Sequence, residues 1–147
     1  MPYILVDTCV FTRLEGAYKR TQKCIQITSD VIGYTKDILE EYKGRAGPNL
    51  LILQAFIQNL ENGGKMRFFK RSYIESAVRR YSNKKKINYP THFPDRKWCN
   101  IAIAIKARYI ISTNGHLLKT RPNQCNGDNT ETLEPMDYAK KRCPDLN

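Results

Sequence analysis

Residues 3–8, Tyr3-Ile4-Leu5-Val6-Asp7-Thr8, decide the fold. Four apolar, β-prone residues in a row, stopped by an acid and a threonine, read as a strand buried on both faces. The run Tyr109-Ile110-Ile111-Ser112 repeats the pattern, with Asn114 just beyond it. Asp7 and Asn114 are therefore expected at the carboxyl ends of buried parallel strands, the edge where open α/β sheets place their ligands.

Outward from these two strands, apolar periodicity alternates between two and about 3.6 residues. Further strands are expected at 31–34, 66–69 and 130–133. Helical spacing follows from Cys9, Val10, Phe11 and Leu14, and recurs over 20–27, 50–60, 73–81 and from Pro135 to about 142. Thr35 reads as the N-cap of a helix that carries Ile38, Leu39 and Tyr42 on its apolar stripe. Gly44 to Pro48 is expected to break that pattern, and Asn62-Gly63-Gly64 to stop the next helix. Pro94-Asp95 opens the most helix-like segment, with Trp98, Ile101, Ala102 and Ile105 facing inward. Residues 87–94 and 120–129 read as loops. Strands alternating with helices imply an α/β fold with a mostly parallel sheet of about five strands, covered on both faces. The 147 residues are expected to form one domain, 1–147.

Twenty-five basic residues against 14 acidic ones give a formal charge of +11, and the pI is near 9.6. Such a field favours a polyanionic partner, nucleic acid ahead of an anionic membrane surface. Nine cations fall within 65–86: Lys65, Arg67, Lys70, Arg71, Arg79, Arg80, Lys84, Lys85 and Lys86, interleaved with Phe68, Phe69, Tyr73 and Tyr81. Any one of them is ordinarily a solvated surface charge, but together they read as a phosphate-binding surface. Arg96 and Lys97, beside Asp95, are further candidate phosphate contacts. No apolar run approaches the ~20 residues of a membrane helix, and Met1-Pro2-Tyr3 lacks a basic n-region and apolar h-region, so neither membrane insertion nor secretion is expected. Cys9, Cys24, Cys99, Cys125 and Cys143 are odd in number and lack C-x-x-C or close Cys/His spacing. They are expected to be small core residues in a reducing cytosol, without a disulfide framework or a zinc knuckle.

Asp7, Glu41 and Asp95 offer three hard carboxylates, the ligands that Mg²⁺ and Mn²⁺ prefer. Glu40 and Glu41 point about 100° apart on a helix, and Glu41, three residues beyond Ile38, lies nearer the buried stripe. Glu41 is therefore expected inward and Glu40 in solvent. Each residue has an ordinary reading as well. Asp7 suits a strand-end turn, Asp95 a first helical turn, and Asn114 before Gly115 a cap. His116 is expected to be packed or capping, and Trp98 to be core.

Leu5-Val6-Asp7-Thr8, Ile38-Leu39-Glu40-Glu41-Tyr42, Pro94-Asp95 before an alanine-rich helix, and Tyr109-Ile110-Ile111-Ser112-Thr113-Asn114-Gly115-His116-Leu117-Leu118 resemble, in order and spacing, the motifs of PIN domains. The resemblance spans nearly the whole chain. It implies a three-layer α/β/α sandwich and a metal-dependent nuclease, most often an endoribonuclease, as in the toxins of VapC-type toxin–antitoxin pairs. It further implies that Asp7, Glu41 and Asp95 coordinate Mg²⁺ or Mn²⁺, with position 114 in the same site. Thr8, Ser112 and Thr113 are then expected to orient the carboxylates by hydrogen bonds. The candidate partners are RNA, an inhibitory antitoxin protein and a second copy of the chain, and the expected compartment is the cytoplasm. The family usually has Asp where this chain has Asn114. An amide oxygen still ligates a hard cation but brings no charge, so the expectation divides between an active ribonuclease and a PIN-derived RNA- or protein-binding module. A DNA-directed nuclease of the flap-cleaving type is a third, weaker expectation.

Overall fold

In the computed structural model, which describes residues 2–118 and 130–146, five parallel strands form one sheet in the order β3-β2-β1-β4-β5. They are β1 (Tyr3–Val6), β2 (Val31–Tyr34), β3 (Met66–Phe68), β4 (Tyr109–Ile111) and β5 (Glu131–Leu133). Helices α1 (Thr8–Phe11) and α2 (Lys19–Ile27) connect β1 to β2, and α3 (Lys36–Ala46) and α4 (Leu50–Asn62) connect β2 to β3. The long crossover from β3 to β4 carries α5 (Arg71–Ser82) and α6 (Arg96–Ile105). The short α7 (Gly115–Leu118) follows β4, and α8 (Pro135–Arg142) follows β5. Helices flank the sheet as in a three-layer α/β/α sandwich.

The chain winds outward from β1 through β2 to β3, then crosses back to β4 on the other side of β1. This reversal makes the β1–β4 pair the topological switch point, the place where open α/β sheets commonly bind ligands. Register holds the pair level: Leu5 stands opposite Ile110 and Val6 opposite Ile111, and the Asp7 amide still donates to the Ile111 carbonyl at 2.9 Å. Asp7 and the Ser112–Asn114 segment thus leave the sheet side by side.

Two packing contacts set the helices around this edge. A Cβ on Gly33 would stand 2.6 Å from Ile105 Cδ1 and 3.4 Å from Phe69 Cε2, so the missing side chain lets α6 close onto β2. On the other side, Phe11 and Tyr42 stack with ring centroids 3.9 Å apart, and the fully buried Tyr42 hydroxyl donates to the Val6 carbonyl. This pins α3 across the end of β1.

Several expected boundaries shift for local reasons. Gly44 lies inside α3, which runs to Ala46 because nothing there demands a positive φ; the chain turns at Gly47, with φ +55°, ahead of a 3₁₀ turn at Gly47–Asn49. Helix α5 begins two residues before the expected Tyr73. The loop expected at 120–129 and Cys125 lie outside the described residues.

The cysteine reading is corrected by the fold. Cys24, near the end of α2, and Cys143, just after α8, form a disulfide with 5.9 Å between their Cα atoms. The packing of α2 on α8 brings together residues 119 apart in the chain, which spacing rules cannot detect. Cys99, fully buried in α6, is disulfide-bonded as well, and Cys9 is a free thiol.

Beside the disulfide, Asp30 is completely buried, with its carboxylate held by Arg142 Nε at 3.0 Å, Arg142 Nη2 at 3.1 Å and the Tyr138 hydroxyl at 2.6 Å. Burial, then this carboxylate, drives the Tyr138 hydroxyl far above its ordinary ionisation range. Removing one member of such a pair strands the other, so Asp30→Ala is expected to destabilise the protein by about 3 kcal/mol in urea unfolding. A loss under about 1 kcal/mol would show the cluster to be energetically neutral.

Candidate functional site

Asp7, only 8% exposed, occupies the N-cap of α1 in extended conformation. Its Oδ1 accepts from the Thr8 amide at 2.7 Å and its Oδ2 from the Ser112 hydroxyl at 2.7 Å. Ser112 is fully buried and accepts in turn from the Asn114 amide at 2.9 Å. The strand-end residues of β1 and β4 are thereby locked to one another. Thr113, expected to share this role, is exposed. Alternation after a buried strand turns it outward while Ser112 faces the carboxylate.

Glu41 reaches the same edge from α3, whose N-cap Thr35 accepts from the Ile38 amide. Glu40 is exposed, whereas Glu41 is half-buried and accepts from the Thr8 hydroxyl at 3.3 Å. Its second oxygen contacts the Lys97 ammonium. Asp95, 5% exposed, closes a 3₁₀ turn at Phe93–Asp95 and leads into α6. Asn114 Nδ2 donates to Asp95 Oδ1 at 3.0 Å, and His92 Nδ1 lies 3.1 Å from Asp95 Oδ2. The four expected positions, 7, 41, 95 and 114, are thus joined by one network running Glu41, Thr8, Asp7, Ser112, Asn114, Asp95.

The electrostatics express the crowding. Burial raises the Asp7 carboxyl above its ordinary value near 3.8; the bonds from Ser112 and Thr8 oppose the rise, and the charges of Asp95 and Glu41 add to it. Burial pushes the Tyr42 hydroxyl well above its usual range, with further contributions from Asp7 and Glu41. Like charges that act on a buried carboxylate favour a cation nearby. The donor set, hard carboxylate oxygens with an amide beside them, fits Mg²⁺ or Mn²⁺. Among the described residues, however, no three His, Cys, Asp or Glu side chains already converge as a ligand cluster. Glu41 is held toward Lys97 and Asp95 toward Asn114 and His92.

The expected phosphate-binding cations divide into separate regions. Arg67, Lys70 and Arg80 line a concavity of about 640 Å³ with Tyr3, Phe69 and Tyr73. There the Arg67 guanidinium lies 5.4 Å from the Phe69 ring centroid and 5.7 Å from that of Tyr3. Arg71 and Lys97 line a second groove, of about 450 Å³, between α3, α5 and α6, with Asn100 and Glu40. Arg96 is exposed, 5.2 Å from the Tyr89 centroid and 5.0 Å from that of Phe93. Arg79 and exposed Lys84, Lys85 and Lys86 belong to the far end of α5. That helix starts beside the strand carboxyl edge and runs about 18 Å away from it.

Two contacts were not legible in the sequence: Lys97 on Glu41 and His92 on Asp95. The second had a local signal, because His92 precedes Asp95 by three residues and Pro94 fixes the turn between them. Trp98 is core, as expected, and the His116 side chain lies outside what the structure describes. No described helix is long and apolar enough to cross a membrane. The chain matches no family model, no curated protein and no solved structure.

Proposed function

We propose that this protein is a PIN-like, metal-dependent endoribonuclease. The observation carrying this reading is the hydrogen-bonded network that links Asp7, Glu41 and Asp95 at the switch point of a parallel sheet, in which the charges of Asp95 and Glu41 raise the proton affinity of Asp7. Mg²⁺ or Mn²⁺ held by these three, with Asn114 alongside, would supply an activated water and stabilise the charge that develops on phosphate oxygens.

The protein's own groups prepare that chemistry. The Thr8 amide and Ser112 hydroxyl fix the lone pairs of Asp7, and the Tyr42 bond to β1 holds α3 so that Glu41 faces the same edge. The groove bearing Arg71 is linked to the site through Lys97, which contacts Glu41, and can receive the backbone phosphates, with the Arg67 and Lys70 surface as a further basic patch. By analogy with the family it resembles, an antitoxin-type inhibitor and a second copy of the chain are the candidate protein partners. The proposed compartment is the cytoplasm, narrowed by the Cys24–Cys143 bond to one oxidising enough to keep the pair closed, as in the cytosol of hyperthermophiles.

A second reading, an RNA- or partner-binding module without turnover, draws support from Asn114, whose amide nitrogen faces Asp95 as a donor. Mixed-sequence single-stranded RNA and DNA incubated with the protein in Mn²⁺, Mg²⁺ or EDTA separate the two. RNA cleavage is expected only with metal, and Asn114→Asp is expected to raise it by about tenfold through the added ligand charge. Salt-sensitive RNA binding without cleavage by either protein would establish the module instead, and a preference for DNA would move the substrate class.

A further inference from the structure

Lys97 stands in the first turn of α6, two residues after Asp95, and its ammonium rests on Glu41 Oε2. The two side chains are 36% and 39% exposed, so the contact opens without disturbing the core. Across the site, the Asn114 amide donates to Asp95 where a carboxylate would repel it. Both features reduce the negative charge available to cations. Three carboxylates less one ammonium leave two negative charges, the complement of one divalent ion rather than two.

Two-metal phosphodiesterase sites place one cation near the attacking oxygen and another near the leaving oxygen, and each needs its share of anionic ligands. We propose that this site binds a single divalent cation and that the Lys97 ammonium serves as its second positive centre. The inference rests on the metal-dependent reading above and adds to it a stoichiometry and a residue. Lys97 neutralises Glu41 in the free protein and offers its charge to a substrate phosphate in the adjoining groove. It is a compact point charge on a flexible stem, suited to exchanging one anionic oxygen for another. The neighbouring Arg96 lies over the Tyr89 and Phe93 rings instead, so of the two cations after Asp95 only Lys97 contacts a site carboxylate among the described contacts.

The test is Mn²⁺ binding to the chelator-stripped full chain, followed by calorimetry and by the electron paramagnetic resonance signal of free Mn²⁺. The wild type is expected to bind one Mn²⁺ per chain. Lys97→Met removes one positive charge close to the metal and is expected to tighten binding by about tenfold, whereas Lys97→Arg keeps the charge and the affinity. The double variant Lys97→Met/Asn114→Asp is expected to bind two Mn²⁺. Two ions on the wild type, unchanged affinity in Lys97→Met, or a single ion on the double variant would each overturn the inference while leaving the nuclease reading intact. No Mn²⁺ binding by the wild type would overturn both.

Discussion

Asp7→Asn is expected to make the metal-free protein melt about 2–4 °C higher at pH 7 while lowering RNA cleavage by about three orders of magnitude. The two effects share one cause. Asp7 is buried beside Asp95 and Glu41, so its ionised form is disfavoured in the folded chain and its pKa is raised. A carboxyl whose folded pKa lies above its unfolded one supports folding fully only while protonated. That support is present below the ordinary value near 3.8 and is lost as pH rises through the raised folded value. An amide never ionises and escapes the loss. It is also accommodated locally, because the Ser112 hydroxyl that donates to Asp7 can instead accept from the Asn amide, and the Thr8 amide keeps its acceptor. On the proposed function, the cleavage defect follows from removing one of the three carboxylate charges that would hold the metal. Melting curves in chelator from pH 3 to 8 provide the check. The variant's advantage should vanish at the acid end and grow toward neutrality, and an advantage independent of pH, or a loss at pH 7, would contradict this account of Asp7.

Opening the Cys24–Cys143 bond should have the larger effect on stability. In the chain-entropy picture, cross-linking residues 119 apart removes about 4–5 kcal/mol of conformational freedom from the unfolded chain, equivalent to about 10–15 °C in thermal midpoint for a domain of this size. The bond ties α2 to the end of α8, next to the buried Asp30–Arg142–Tyr138 cluster. That cluster precedes β2, at the strand edge opposite the carboxylates. Cys24→Ala/Cys143→Ala is therefore expected to melt far lower yet, on the proposed function, retain wild-type metal affinity and cleavage at 25 °C. Coincident melting of the wild type and the double variant would show that the bond does not constrain the unfolded state as argued.

Local chemistry made a large share of the fold legible. The apolar runs of β1 and β2 mark the observed strands Tyr3–Val6 and Val31–Tyr34, because a strand buried on both faces leaves an uninterrupted hydrophobic signal. Thr35 caps α3, and the 100° between successive helical residues separated exposed Glu40 from half-buried Glu41. The four-residue α7 went unread because so short a segment has no periodicity to detect.

The sequence by itself therefore determined the alternation of strands and helices, the parallel sheet, and the placing of Asp7 and Asn114 at strand ends, since each depends on residues within a few positions of one another. Only the tertiary structure decided the rest. The Lys97–Glu41 pair spans 56 residues, the Ser112–Asp7 bond 105 and the disulfide 119; the first and last depend on how α3, α6, α2 and α8 pack, and the second on the pairing of β1 with β4. The same packing parted a basic run that looks continuous in the chain, because α5 carries its last cations a helix length away from the groove that its first residue lines.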